Sequence, residues 1–268
     1  MWTPIAIAAL ALAPAQPGGL TLSNVRNTYG ELGGVRPEGK LLPGDVLFVG
    51  FDIEGITVAP DGKAEYSMAI EVVGKAGEVV WKDKEPIEKV DFIPLGGSKI
   101  PGKAFITIGL DQPAGAYTLK VTVTDKATKA AKTLERKFEV APRDFGIAAV
   151  FASVDERGTI PAPTTGIVGQ SVFIQFGVVT FARDPAKKQP DVQVEMAVID
   201  EAGKPTLAKP VTFALSGGVD EKDGGFTLRF LLPMTRTGKF TVRLKATDKI
   251  ANKSATFDLP LVIVPSAN

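Results

Sequence analysis

Between Gly115 and Asp125 apolar and polar residues take turns: Tyr117, Leu119, Val121 and Val123 are separated by Thr118, Lys120, Thr122 and Thr124. A period of two belongs to a strand that buries one face and wets the other. The stretch from Gly238 to Asp248 does the same, with Phe240, Val242, Leu244 and Ala246 set against Thr241, Arg243, Lys245 and Thr247. Across the first half this pattern predicts strands near Leu20–Arg26, Val46–Ile53, Glu65–Val73, Glu78–Lys82, Ala104–Leu110, Tyr117–Thr124 and Thr133–Val140. Gly, Pro, Asp and Lys gather between them, as turn formation requires. No segment carries a helical period, and Pro161–Gly166 and the lysine-rich Asp125–Lys132 read as loops. Short strands between regular turn signals predict an all-β chain of sandwich type.

The two alternating stretches belong to a longer echo. Gly44, Phe48 and Phe51 match Gly169, Phe173 and Phe176, and Ala76-Gly77 matches Ala202-Gly203. Phe92, Gly96-Gly97 and Phe105 have the spacing of Phe213, Gly217-Gly218 and Phe226; Tyr117 and Asp125 answer to Phe240 and Asp248. Four matches in one order predict an internal duplication. The expected units are residues 19–142 and 144–265, joined at Glu139–Gly146, where Pro142 ends the last strand of the first copy. Phe48, Phe51, Phe173 and Phe176 are expected to fill the two cores. So short a junction leaves little slack, and a rod of limited bending is expected.

Asp111–Leu119 (DQPAGAYTL) resembles the corner that opens strand F of immunoglobulin-like domains, the bacterial Ig-like and fibronectin III-like members included. In that family a Tyr near the strand start bonds back to the backbone upstream, and a Cys commonly stands two residues on. Tyr117 takes the tyrosine position and Leu119 the cysteine position. In the second copy Phe240 keeps the ring without the hydroxyl, and Val242 fills the cysteine site. The resemblance implies two tandem seven-stranded Ig-like antiparallel β-sandwiches lacking the inter-sheet disulfide. It implies no particular activity.

Composition narrows the chemistry. The 268 residues are 44% apolar and 23% charged, as in globular proteins. Lys plus Arg number 31 against 30 for Asp plus Glu, so no net field draws the chain to nucleic acid. With no His and no Cys, imidazole-based triads, thiolate nucleophiles, zinc–thiolate sites and disulfides are excluded. No cofactor or metal is expected. At the amino end the apolar run Ile5–Ala13, followed by Ala13-Pro14-Ala15, reads as a signal peptide over residues 1–15, although no Lys or Arg precedes it; a buried first strand is the alternative. The run is too short to span a bilayer, so no stable membrane insertion is expected after its removal. A secreted or periplasmic location follows.

Few residues stand out as sites. Trp81 either packs on the sandwich or its edge, the commoner use of such a ring, or stacks on a sugar. Asp125 and Asp248 end equivalent strands before a hairpin; turn capping suits them better than calcium, which needs six or more oxygens. Lys126, Lys129, Lys132, Arg136 and Lys137 read as a solvated hairpin protecting a sheet edge. The expectation is an exported, non-catalytic spacer or binding module whose partner is an unknown protein or glycan. The alternatives are a carbohydrate-binding or carbohydrate-active accessory protein and a periplasmic chaperone-like protein that binds clients by adding a strand.

Overall fold

The computed structural model describes residues 19–266; the expected signal segment at 1–15 lies outside them. The first half forms β1 (Thr21–Thr28), β2 (Lys40–Leu41), β3 (Val46–Glu54), β4 (Lys63–Val73), β5 (Val79–Lys82), β6 (Ile87–Phe92), β7 (Lys99–Thr107), β8 (Gly115–Asp125) and β9 (Ala131–Val140). The second half forms β10 (Gly146–Ser153), β11 (Thr165–Ile167), β12 (Ser171–Val179), β13 (Val192–Asp200), β14 (Val211–Leu215), β15 (Gly225–Pro233), β16 (Gly238–Asp248) and β17 (Lys253–Val264). The chain is all-β. The strands of the described residues make four sheets: β1-β3-β7, β2-β9-β8-β4 with β5 and β6 both on the far side of β4, β10-β12-β15, and β11-β17-β16-β13-β14. Among these strands pairing is antiparallel except for β2 with β9 and β11 with β17.

The seven strands expected in the first half are all present, and β2 and β6 are additional to them. Neither carried a usable pattern. β2 is two residues long, and β6, IEKVDF, buries none of its positions fully. Such strands are held by backbone pairing to a neighbour, so no apolar face needs to mark them.

Each half encloses its own apolar cluster. In the first, Leu47, Val49, Phe51 and Ile53 of β3 face Leu119, Val121 and Val123 of β8. In the second, Val172, Ile174, Phe176 and Val178 of β12 face Val242, Leu244 and Ala246 of β16. Of the four phenylalanines expected inside, Phe51 and Phe176 are fully buried. Phe48 and Phe173 are only partly buried. They lie three residues before the buried rings, an odd step that a strand places on the opposite face. Phe48 rests instead on Phe105 at 5.6 Å and Phe151 at 6.4 Å between ring centres.

Irregular positions correspond between the halves. The β1–β3 register shifts between Ser23 and Arg26, and the β10–β12 register between Ala148 and Phe151. Within these bulges Asn24 and Ala149 are left-handed, with φ of 52° and 51°. Left-handed turn residues answer each other too: Gly44 and Gly169, Gly77 and Gly203, Lys129 and Asn252, and Gly55 and Thr180. One alignment from the sequence needs correcting. Phe48 pairs with Phe105 across β3–β7, but Phe173 pairs with Leu231 across β12–β15, and Phe226 lies opposite Val178. Phe213 likewise occupies the place of Ile87, since these face Val194 and Met68 at matching registers. The aromatic spacing shared by the two segments therefore slipped the true register by five residues, a slip that equal Phe–Phe intervals concealed.

The halves are fastened by a loop following β1. Tyr29 leaves the first half and is buried in the second cluster, edge-on to Phe257 at 6.0 Å. Its amide donates to Gly34 O at 3.0 Å, closing a turn in which a Cβ at Gly33 would run into the Tyr29 carbonyl. Gly34 N then donates to Thr164 Oγ1 at 2.8 Å. Arg36 lies 5.5 Å from the centre of the Phe257 ring and bonds the buried Asp45 carboxylate at 2.6 Å. Asp45 Oδ1 also accepts from the amides of Val46 and Ala149, each at 2.8 Å. A carboxylate with a guanidinium and two amides is satisfied despite its burial; removing one partner would leave a buried charge.

Candidate functional site

Among the described residues the sheet orders leave one side of β7 and one side of β15 unpaired. Opposite those free edges the second sheet of each half ends at β5 and β6, or at β14. An apolar groove opens between the sheet margins in each half. In the first half it holds ≈ 550 Å3 and is lined by Ile70, Val72, Trp81, Phe105, Tyr117 and Phe138, among others. In the second it holds ≈ 300 Å3, with Met196, Val198, Leu207, Leu231, Phe240 and Leu261 at the corresponding positions. The correspondence follows from register: Val72 faces Leu119 as Val198 faces Val242, and Tyr117 faces Phe138 as Phe240 faces Leu261.

Trp81 lies on β5, a strand with no buried position, and its residue is 49% exposed at the groove rim. It lies at the edge of the sandwich rather than inside it, the second of the two packing positions expected. Leu207, its counterpart, is 61% exposed. Tyr117 closes one end of the first groove, stacked on Phe138 at 5.6 Å. Its hydroxyl donates to Pro113 O and accepts from Gln112 Nε2, both at 2.8 Å. The acceptor comes from a five-residue corner, Leu110–Ala114, between Gly109 and Gly115. In the second half only Arg236 and Thr237 stand between Thr235 and Gly238. The shortened corner has no equivalent carbonyl to offer, and Phe240 has no hydroxyl to use it. Arg236 covers the ring instead, 5.2 Å from its centre.

Asp125 and Asp248 lie away from the grooves, buried at the ends of β8 and β16. Asp125 Oδ1 accepts from the amides of Ala127 and Thr128, and its Oδ2 from the amide of Thr57. Asp248 repeats this set with Ile250, Ala251 and Ala182. Burial by itself raises the pKa of Asp125; the bonds from Thr57, Thr128 and Ala127 outweigh it and hold the carboxyl below its ordinary value. Each Asp thus ties a hairpin to the opposite sheet. Among the described residues no three His, Cys, Asp or Glu side chains converge as a metal site.

Sequence reasoning missed the grooves, Arg36 and Asp45, and the cations Lys209 and Arg236. A free edge is a property of sheet order, which no local pattern encodes. The adjacent apolar residues Val79-Val80-Trp81 and Leu231-Leu232 were the available signal, since a strand wetted on one face exposes one of two consecutive apolar residues.

No family model and no curated protein matches the chain. Among solved structures, a red sea bream transglutaminase is similar over 93% of this chain and 32% of its own, at 10% identity and a TM-score of 0.28. A family 123 glycoside hydrolase from Clostridium perfringens is similar over 46% of this chain and 27% of its own, at 12% identity and a TM-score of 0.32. The chain thus spans no more than a third of either protein, and likenesses this slight carry nothing about activity.

Proposed function

We propose that the chain is an exported, non-catalytic protein of two Ig-like β-sandwich units, 19–142 and 144–265, copied from one ancestor and held in fixed relation to act by contact. The single observation behind this reading is the matched pair of irregularities: both bulges, their left-handed residues and both three-bond aspartates recur at equivalent registers. Regular strands recur in any β protein; coincident irregular positions do not. The Tyr29–Arg36–Asp45 fastening supports a fixed geometry, and the missing His and Cys support action without chemistry. Export rests on the Ile5–Ala15 pattern. Expression with the native amino terminus, followed by fractionation and intact-mass measurement, tests it: the expected product lies outside the cytoplasm and begins after Ala15. Full-length protein retained in the cytoplasm would contradict the reading.

A second reading, carbohydrate binding, is favoured by one observation, the open ring of Trp81 beside the larger groove. On a glycan array this reading expects a signal from the wild type that Trp81→Ala abolishes. No signal from either protein removes it.

A further inference from the structure

The two grooves share a frame and differ in charge. Asp83 lines the first, its carboxylate accepting from the Ile70 amide at 2.8 Å. At the equivalent place the second groove has Lys209, and its shortened corner adds Arg236. Among the described residues no Asp or Glu lines this second groove. Two cations therefore border an apolar trough, and none of the described residues lining it is a carboxylate that balances them. A neutral apolar ligand would have no use for the cations, and a small inorganic anion none for the trough. The volume of ≈ 300 Å3 sits at the lower limit for small-molecule sites and suits one slender chain better than a row of large side chains.

We propose that the second-half groove binds a single-chain anionic amphiphile, a free fatty-acid-like molecule. Its tail lies along Met196, Leu207, Leu231 and Leu261, and its head group meets Lys209 and Arg236. The charge-assisted contacts select the head, and burial of methylenes supplies affinity that grows with chain length. The aromatic ring of Phe240 holds the Arg236 guanidinium over the groove end. The first-half groove, with Asp83 in place of Lys209, excludes the same ligand. This proposal deepens the reading of the protein as one that acts by contact, and names the ligand class for one of its two units.

Octanoate, decanoate and laurate, each below its micelle concentration, are titrated into the whole protein by calorimetry and methyl NMR. Decanol and dodecyltrimethylammonium serve as neutral and cationic comparisons. The expected result is saturable binding of the carboxylates, tightening roughly fourfold per methylene until the groove is filled. Methyl shifts should centre on Met196, Leu207, Leu231 and Leu261. Lys209→Gln with Arg236→Gln, both exposed positions, should weaken laurate at least tenfold and leave decanol unchanged. Equal binding of all three head groups, shifts confined to the Trp81 groove, indifference to the double substitution, or displacement of laurate by apolar peptides at lower concentration would overturn the proposal. So would the absence of saturable binding. A protein that binds no laurate yet keeps its two units at a fixed separation, measured by spin labels, refutes the ligand alone and leaves the two-unit reading in place.

Discussion

Thr180 concentrates more unfavourable physics than any other single position described above. It is left-handed, with φ of 58°, and β-branched, and its buried hydroxyl has no hydrogen-bond partner among the described residues. Its counterpart is Gly55, which occupies the same conformation without a Cβ. Left-handed non-glycine residues cost on the order of 1–3 kcal/mol, and glycine gives part of that back as unfolded-chain entropy. Thr180→Gly should therefore stabilise the protein by about 1 kcal/mol, read as a higher urea midpoint at unchanged slope. Asp125 makes the opposite kind of contribution. Its folded pKa lies below the ordinary 3.8, so its ionised form favours folding. That stability is complete above the unfolded pKa, near pH 4, and is lost as pH falls through the lower folded value. Asp125→Asn keeps an acceptor and removes the charge. It should lower stability at pH 7 by roughly 1–3 kcal/mol and flatten the decline of the urea midpoint between pH 5 and pH 3. A decline as steep as that of the wild type would contradict the assigned role.

At the scale of elements, the legible and the illegible parts of the fold separate by mechanism. β8 and β16 were plain in the sequence because each has one inner and one outer face, and alternation records that difference directly. The turns were legible because Gly44, Gly77, Gly169 and Gly203 adopt positive φ, which other side chains resist. β6 and β14 were hard to see because they sit at sheet margins with nearly every residue exposed. The Phe92–Phe105 and Phe213–Phe226 match was misleading for a related reason: register is set by pairing with β4 and β13 for the first ring of each pair and with β3 and β12 for the second, while aromatic spacing is free to coincide. The Tyr117 corner was legible as a motif, and its hydroxyl does reach back to Pro113. The sequence also contained the reason Phe240 differs, in the three residues missing before Gly238. The grooves needed sheet order, and sheet order follows from long-range pairing that a single sequence leaves implicit.

At the scale of the whole molecule, the central claim is that two units of one design are locked by Tyr29, Arg36 and Asp45. The buried ion pair contributes mainly by being satisfied, so breaking it should be costly: removing one partner of such a pair costs on the order of 3–5 kcal/mol. The chain contains no Cys, so a nitroxide can be placed at any chosen position without background. Lys75 and Glu201 occupy exposed turns that correspond in the two halves. Pulsed electron-spin distance measurement on Lys75→Cys with Glu201→Cys gives the separation of the halves directly. The account predicts one narrow distance distribution that broadens when Asp45→Ala is added. A broad or multimodal distribution in the doubly labelled protein with Asp45 intact, or a narrow one unaffected by Asp45→Ala, would contradict it.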